Sequence, residues 1–173
     1  SIVNKEVNAL SSQSFDFTIK VDNPILWSPN NPHLYNLCIE ISDDKGKKID
    51  SYLKKIGIRT IELKGRKGLF LNGEKYPELL LGGNRHQDFA HIGNALPNNL
   101  HWRDALKLRQ IGMKVIRSAH YAQDPAFLDA CDALGLFVVN TIPGWQFWND
   151  DPIFSERMLS DVRKIIRLER NRP

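Results

Sequence analysis

The sequence is poor in the residues that usually announce a function. Two cysteines, Cys38 and Cys131, occur in 173 residues, in segments predicted as a strand and a helix of different units, so neither a disulfide nor a Cys-x-x-Cys motif is expected. His-x-x-x-His spacing is absent as well, and no metal site is expected. Without Gly-x-Ser-x-Gly there is no signature of a Ser-His-Asp hydrolase. Without Gly-x-Gly-x-x-Gly opening a helix, a dinucleotide-binding sheet is disfavoured, and no cofactor is implied. No apolar run approaches the length that spans a bilayer, and Ser1 is not followed by a charged, apolar and small-residue leader. A membrane partner is therefore not expected, and the compartment is unreadable.

What is present is ordinary for a soluble globular protein: 42% hydrophobic and 25% charged residues, enough for one domain or two small pieces. The net charge of +4 comes from scattered groups such as Lys45, Lys47, Lys48, Lys54 and Lys55, then Lys64, Arg66 and Lys67. They lack interleaved aromatics and read as solvated hairpin faces, which argues against a nucleic-acid partner. Neither Ser1 nor Asn171-Arg172-Pro173 resembles a natural terminus, and an excised fragment is expected.

Two periodicities divide the chain. Phe15, Phe17, Ile19 and Val21, then Leu37, Ile39 and Ile41, then Ile56 and Ile58 repeat every second residue, which predicts half-buried antiparallel strands. Asp43-Asp44-Lys45-Gly46 predicts a hairpin turn, and Pro24, Pro29 and Pro32 interrupt the connection before it. This is β-sandwich texture with too few strands for a whole sandwich. The basic run Lys64 to Lys67 marks a boundary, and Asn72-Gly73 predicts a further two-residue turn.

After Pro77 the rhythm becomes strand, helix, strand, helix. Leu79 to Gly83 predicts a strand covered on both faces. Asn98 or Asn99 is placed to cap a helix with Trp102, Ala105, Leu106 and Ile111 on its apolar stripe, closed by Gly112. Val115 and Ile116 form the next strand. Asp124-Pro125 opens a helix carrying Phe127, Leu128, Cys131 and Leu134, closed by Gly135. Leu136 to Val139 predicts the third strand, and Asp151-Pro152 opens a helix with Leu159, Val162, Ile165 and Ile166 on one side. Successive βα units imply parallel strands, and the missing glycine fingerprint favours a partial (β/α)8 barrel over an open sheet.

Ligands of such folds bind at the carboxyl ends of the strands. Those ends here carry Asn84-Arg85-His86-Gln87-Asp88, then Arg117-Ser118-Ala119-His120-Tyr121, then Asn140-Thr141 with Trp145 and Trp148 beyond. A single histidine at a strand end is more often structural than functional; a second at the matching place of the next unit changes the balance. Arg117 also has a plain reading, as the partner of a neighbouring carboxylate, and the tryptophans one as lid or core. Together the groups suit hydroxyl-rich ligands, with an aromatic face for a sugar ring.

These residues resemble glycoside hydrolase family 2, the β-galactosidases, β-glucuronidases and β-mannosidases. The resemblance runs through Trp27 to Tyr35, Gly57-Ile58-Arg59, Leu71-Asn72-Gly73-Glu74, Gly83-Asn84-Arg85-His86, Ile116 to Tyr121, and Phe127 to Leu136. It implies the end of an immunoglobulin-like sandwich over residues 1–63 and the first part of a TIM barrel over residues 64–173. Carried over residue by residue, it implies sugar contacts by Asn84, Arg85, His86, Arg117 and His120, with Arg117 supporting a nucleophilic carboxylate; Trp145 joins the expected sugar-binding residues on its aromatic face alone. It also implies an exo-acting, retaining β-glycosidase of β-galactosidase type. Family 2 uses an acid/base and a nucleophilic glutamate roughly 5–5.5 Å apart, and both are expected beyond Pro173, so no catalytic residue is expected within this fragment, which should itself be inactive. Ala122 and Asn140 depart from the family's usual proline and acidic residue, and Arg172 stands where Asn-His-Pro has histidine. The resemblance leaves room for a homo-oligomer of the intact enzyme, and only the family's habits point to a periplasmic or secreted location. The competing reading is a non-catalytic carbohydrate-binding or scaffold protein on a degenerate barrel. An open-sheet nucleotide enzyme is the weaker third.

Overall fold

The computed structural model describes residues 3–144 and 146–173. Its first regular element follows from alternation: Tyr35, Leu37 and Ile39 of β1 (Tyr35–Ser42) are half-buried while Asn36, Cys38 and Glu40 face water. β1 pairs antiparallel with β2 (Lys48–Ile56), Tyr35 opposite Ile56. Asp43 builds the turn between them, its Oδ1 accepting from the backbone N–H groups of Lys45 at 3.0 Å and Lys47 at 2.7 Å. The strand expected over Phe15 to Val21 does not form. No ladder involves these residues, and Phe15, Phe17, Ile19 and Val21 are between 43% and 53% exposed. Alternation yields a strand only where a neighbour pairs with its backbone, and among the described residues none does. The expected piece of sandwich is thus a single hairpin here.

A second sheet has the order β3 (Ile61–Leu63), β4 (Leu69–Leu71), β5 (Glu74–Lys75), all antiparallel. The basic run becomes a 3₁₀ turn, Gly65–Lys67, between β3 and β4. Asn72 and Gly73 both take positive φ, +55° and +85°, as a two-residue hairpin turn requires. The Asn72 side chain also ties that turn to the preceding segment, with Nδ2 donating to the Trp27 carbonyl at 3.0 Å.

The third sheet is parallel, β6 (Gly82–Arg85), β7 (Val115–Ser118) and β8 (Phe137–Val139), with Gly82 opposite Val115 and Val115 opposite Phe137. The first of these strands starts later than the apolar run predicts. Leu79, Leu80 and Leu81 precede it and are 77%, 37% and 61% exposed. Pairing begins at Gly82 because the two backbones meet there: a Cβ on Gly82 would lie 1.7 Å from the Val115 carbonyl oxygen. Among the described residues no strand pairs with its outer side, and the three strands form no closed barrel.

Three helices accompany this sheet. In α1 (Asn98–Gln110) Pro97 occupies the cap and neither Asn98 nor Asn99 caps it; Asn98 is already helical. The buried face of α1 is His101 and Ala105, with Leu108 packed beside them, whereas Trp102, Leu106 and Ile111 are 41%, 44% and 70% exposed. A polar partner beneath the helix, Arg85, draws His101 inward and rotates the hydropathic stripe off the core. α2 (Pro125–Leu134) begins with Asp124 Oδ1 accepting from the Ala126 N–H at 2.8 Å, and α3 (Pro152–Glu169) repeats the device with Asp151 and Ile153 at 2.9 Å.

Two cores lie on opposite faces of the parallel sheet. Ile116 joins Ala105, Phe127, Leu128, Ala130, Cys131 and Leu136 beneath α1 and α2. On the other face Phe137 meets Trp27 and Leu71, with Tyr76 and Val115 around them. The Trp27 and Tyr76 rings stand edge-on to Phe137 at 5.7 and 5.6 Å, and Trp27 Nε1 donates to the Asp132 carbonyl at 2.7 Å. Chain segments from before β1, from β4 and from β8 thus share one core. Arg59 and Arg172 add a polar clasp. Arg59 donates to the carbonyls of Pro173 and Arg172 at 2.7 and 3.3 Å, and Arg172 pairs with Asp129 at 2.6 Å, Asp132 at 2.7 Å and Glu169.

Candidate functional site at the strand ends

Side chains alternate across a strand, so the register that sets Asn84 opposite Arg117 puts both on one face of the sheet, and sets Arg85 opposite Ser118 on the other. Arg117 Nη1 lies 3.5 Å from Asn84 Oδ1 and 2.9 Å from His120 Nδ1. The His120 ring meets the His86 ring edge-on, centroids 5.2 Å apart, and His86 in turn faces Tyr121 at 6.4 Å. His86 and Asn84 are exposed, and Arg117, His120 and Tyr121 half-buried, so the cluster opens to water.

The electrostatics follow from that crowding. Burial, the Arg117 guanidinium and His86, in that order, hold the His120 pKa below the ordinary imidazole range. A guanidinium only donates, so Nδ1 of the neutral His120 ring accepts and its proton sits on Nε2. The third strand end is tied in from behind: Ser118 Oγ donates to Asn140 Oδ1 at 3.0 Å, and Thr141 Oγ1 donates to the Ser118 carbonyl. Asn140 and Thr141 also line a cleft of about 400 Å³ with Ile142, Val162, Ile165 and Ile166. That cleft is apolar on its α3 side and does not include the imidazoles; the polar convergence, rather than this cleft, marks the site.

Of the residues singled out in the sequence, Asn84, His86, Arg117 and His120 are brought together. Arg85 is not: it is 6% exposed, on the helix side of the sheet, and bonded to Asp104, Gln123 and His101. Trp145 lies outside the described residues. Tyr121 and Gln87 were not singled out for roles of their own, yet the Tyr121 hydroxyl accepts from the Gln87 N–H at 2.9 Å and Gln87 Oε1 accepts from the Asp124 N–H at 2.8 Å. His101, given no role in the sequence, is fully buried. Its position four residues before Ala105 and three before Asp104 was the available signal. Chemically, the arrangement offers an amide, a guanidinium and two imidazoles on one open face, which can donate to and accept from several neighbouring hydroxyl groups.

Comparison with known proteins shows what the chain is similar to. Residues 1–59 match the sequence model of Glycosyl hydrolases family 2, and residues 61–173 that of the family 2 TIM barrel domain. A β-galactosidase of Thermoanaerobacter pseudethanolicus is 36% identical over 99% of this chain and 24% of its own length. A putative β-glucuronidase of Formosa agariphila is 37% identical over 82% of this chain and 17% of its own. Among solved structures, a Bacteroides uniformis β-glucuronidase superposes with a TM-score of 0.78 at 34% identity, covering 87% of this chain and 18% of that one. The chain spans less than a quarter of the length of these relatives.

Proposed function

Because this chain belongs to Glycosyl hydrolases family 2, we propose that the polar end of its parallel sheet is the sugar-gripping part of a retaining, exo-acting β-glycosidase active site, of β-galactosidase type. The observation that carries this reading is the convergence of Arg117, His120 and His86 at the carboxyl ends of adjacent parallel strands, where barrel enzymes bind substrate. In this reading Asn84, His86 and His120 hold sugar hydroxyls, and Arg117 steadies the carboxylate that attacks the anomeric carbon. Trp145, on its sequence position after β8, covers an apolar sugar face. Residues 1–63 are assigned to an immunoglobulin-like unit and residues 64–173 to the opening βα units of a barrel that closes with further units.

The two catalytic glutamates of the double displacement are assigned to later strands, so the 173-residue chain alone is expected to leave a nitrophenyl β-glycoside intact; turnover by it would contradict that assignment. In the full-length polypeptide, His120→Ala removes hydrogen bonds to the transition state worth about 1–3 kcal/mol, so kcat/KM is expected to fall by roughly 5- to 150-fold. An unchanged kcat/KM would remove His120 from the site. A full-length protein that binds galactosides without cleaving them would instead make this a binding module.

A further inference from the structure

We propose that Arg85 is a positioning residue, whose buried guanidinium holds the carboxyl end of β6 so that His86 meets His120 edge-on. The proposal rests on reading that strand end as the sugar site, and it gives Arg85 a different task from the sugar contact that its place in the sequence implies.

All three nitrogens of the guanidinium are engaged. Nε and Nη2 donate to Asp104 Oδ2 at 3.3 and 2.8 Å, Nη2 donates to His101 Nδ1 at 3.2 Å, and Nη1 donates to Gln123 Oε1 at 2.5 Å. Its Cζ lies over the Phe127 ring, 4.0 Å from the centroid. Two of these partners belong to α1, one to α2 and one to the connection ahead of α2. The Arg85 guanidinium is balanced by the Asp104 carboxylate, a neutral His101 accepts at Nδ1, and on the far side of that ring Asp124 Oδ2 lies 4.0 Å from Nε2; pairing of this kind is the condition under which such groups tolerate burial. Burial and the neighbouring Arg85 both lower the His101 pKa, in keeping with a neutral ring.

The geometry around His86 turns this anchor into a device. Arg85, on its amino side, is bonded to Gln123. Gln87, on its carboxyl side, bonds through its backbone N–H to Tyr121 and through Oε1 to the Asp124 N–H. Both tethers therefore end in residues 121–124, the segment that leaves His120. The two imidazoles hang from opposite ends of one closed circuit, and a change in how β6 ends moves one ring against the other. A flexible ammonium cannot replace the fork, because three directions must be held at once.

The test uses the full-length polypeptide carrying Arg85→Lys or, more gently, Gln123→Ala. Imidazole ¹H–¹⁵N spectra read the rings, and an aryl β-glycoside reads turnover. Arg85→Lys is expected to shift the His86 and His120 ring signals while the Trp27 indole N–H signal stays in place. It should lower kcat by on the order of 100-fold, with KM changing by less than about threefold, as misplacement of a binding group by about 1 Å does. Gln123→Ala should move the same ring signals in the same direction and lower kcat by about tenfold. Ring signals unchanged in both variants would overturn the proposal. So would a raised KM at unaltered kcat, which marks a direct substrate contact. If Arg85→Lys fails to fold, Gln123→Ala alone decides. If the wild-type protein cleaves no glycoside, the sugar-site reading fails while the imidazole spectra still test the anchor.

Discussion

The stretch from Val3 to Ile56 and the stretch from Gly82 to Val139 both carry frequent apolar residues, yet they bury them very differently. In the first, Ile49 and Leu53 on β2 are each 66% exposed and Val21 and Phe15 have no pairing strand. In the second, Ile116, Phe127 and Cys131 are fully buried between a parallel sheet and two helices. The difference teaches that an apolar pattern specifies which face wants a partner, whereas stabilisation comes only when another element covers that face. Trp27 makes the point from within the first stretch: it is fully buried because Leu71 and Phe137 come to it from elsewhere in the chain.

The sharpest way to break this contrast is to truncate one side chain from each region and compare midpoints of chemical denaturation. Trp27→Ala is expected to cost about 3–5 kcal/mol, whereas Leu53→Ala on the open face of β2 should stay within about 0.5 kcal/mol. Equal losses would mean that the hairpin is covered in solution.

Two glycines at positive φ sharpen the same comparison. Gly135, at +73°, would place a Cβ 2.3 Å from the Pro29 carbonyl oxygen, while Gly46, at +78°, has nothing within 4 Å. Gly46→Ala should cost about 1 kcal/mol for the backbone alone. Gly135→Ala adds a clash between α2 and the segment ahead of β1, and the expected loss is about 2–3 kcal/mol. Thermal unfolding of the two variants side by side reads the difference.

The clasp that joins the regions predicts a pH dependence. Burial pushes the Asp132 carboxyl up to about 6, against the pull of its bonds to Arg172 and with Asp129 and Glu169 adding to the rise. Arg172 moves upward as well: burial opposes its charge, and the bonds to Asp129, Asp132 and Glu169 outweigh burial. Asp132 thus bears the cost of the buried pair. A carboxyl that holds its proton more tightly when folded stabilises the fold most below its unfolded pKa of about 3.9, and that advantage is lost as pH rises through about 6. Stability should therefore fall between pH 4 and pH 7 by on the order of 1–2 kcal/mol after allowance for partial exposure, and melting temperatures should fall with it. Asp132→Asn should flatten that slope; an equally steep profile in the variant would assign it to another group.

The smallest effects concern the caps. Asp124→Ala removes the acceptor at the start of α2 and should cost about 1 kcal/mol, and Asp43→Ala in the β1–β2 turn about half that. A larger loss at Asp43 would reverse the ranking of the two regions.

Much of the local structure was legible because its causes are local. Asp124-Pro125 and Gly135 bound α2, Asp151-Pro152 opens α3, and Asn72-Gly73 turns a hairpin, each through groups within a few residues. The residues at the three strand ends were legible for a related reason: a chain that leaves a buried sheet at a ligand site turns polar there. The errors came where a distant partner decided the outcome. Phe15 to Val21 needed a strand to pair with, Leu79 to Leu81 lay just before the ladder, and α1 turned His101 rather than Trp102 inward because Arg85 waits beneath it.

By itself the sequence determined the order of elements, the caps and turns, and which residue types gather where the strands end, since these depend on backbone preference and side-chain spacing. Only the tertiary structure decided that Asn84 and Arg117 share a face while Arg85 points to the helices, and that Trp27 seals the opposite face of the sheet. The reason is register. Which side of a strand a residue occupies depends on where its pairing begins, and that was set by the close approach of Gly82 to Val115.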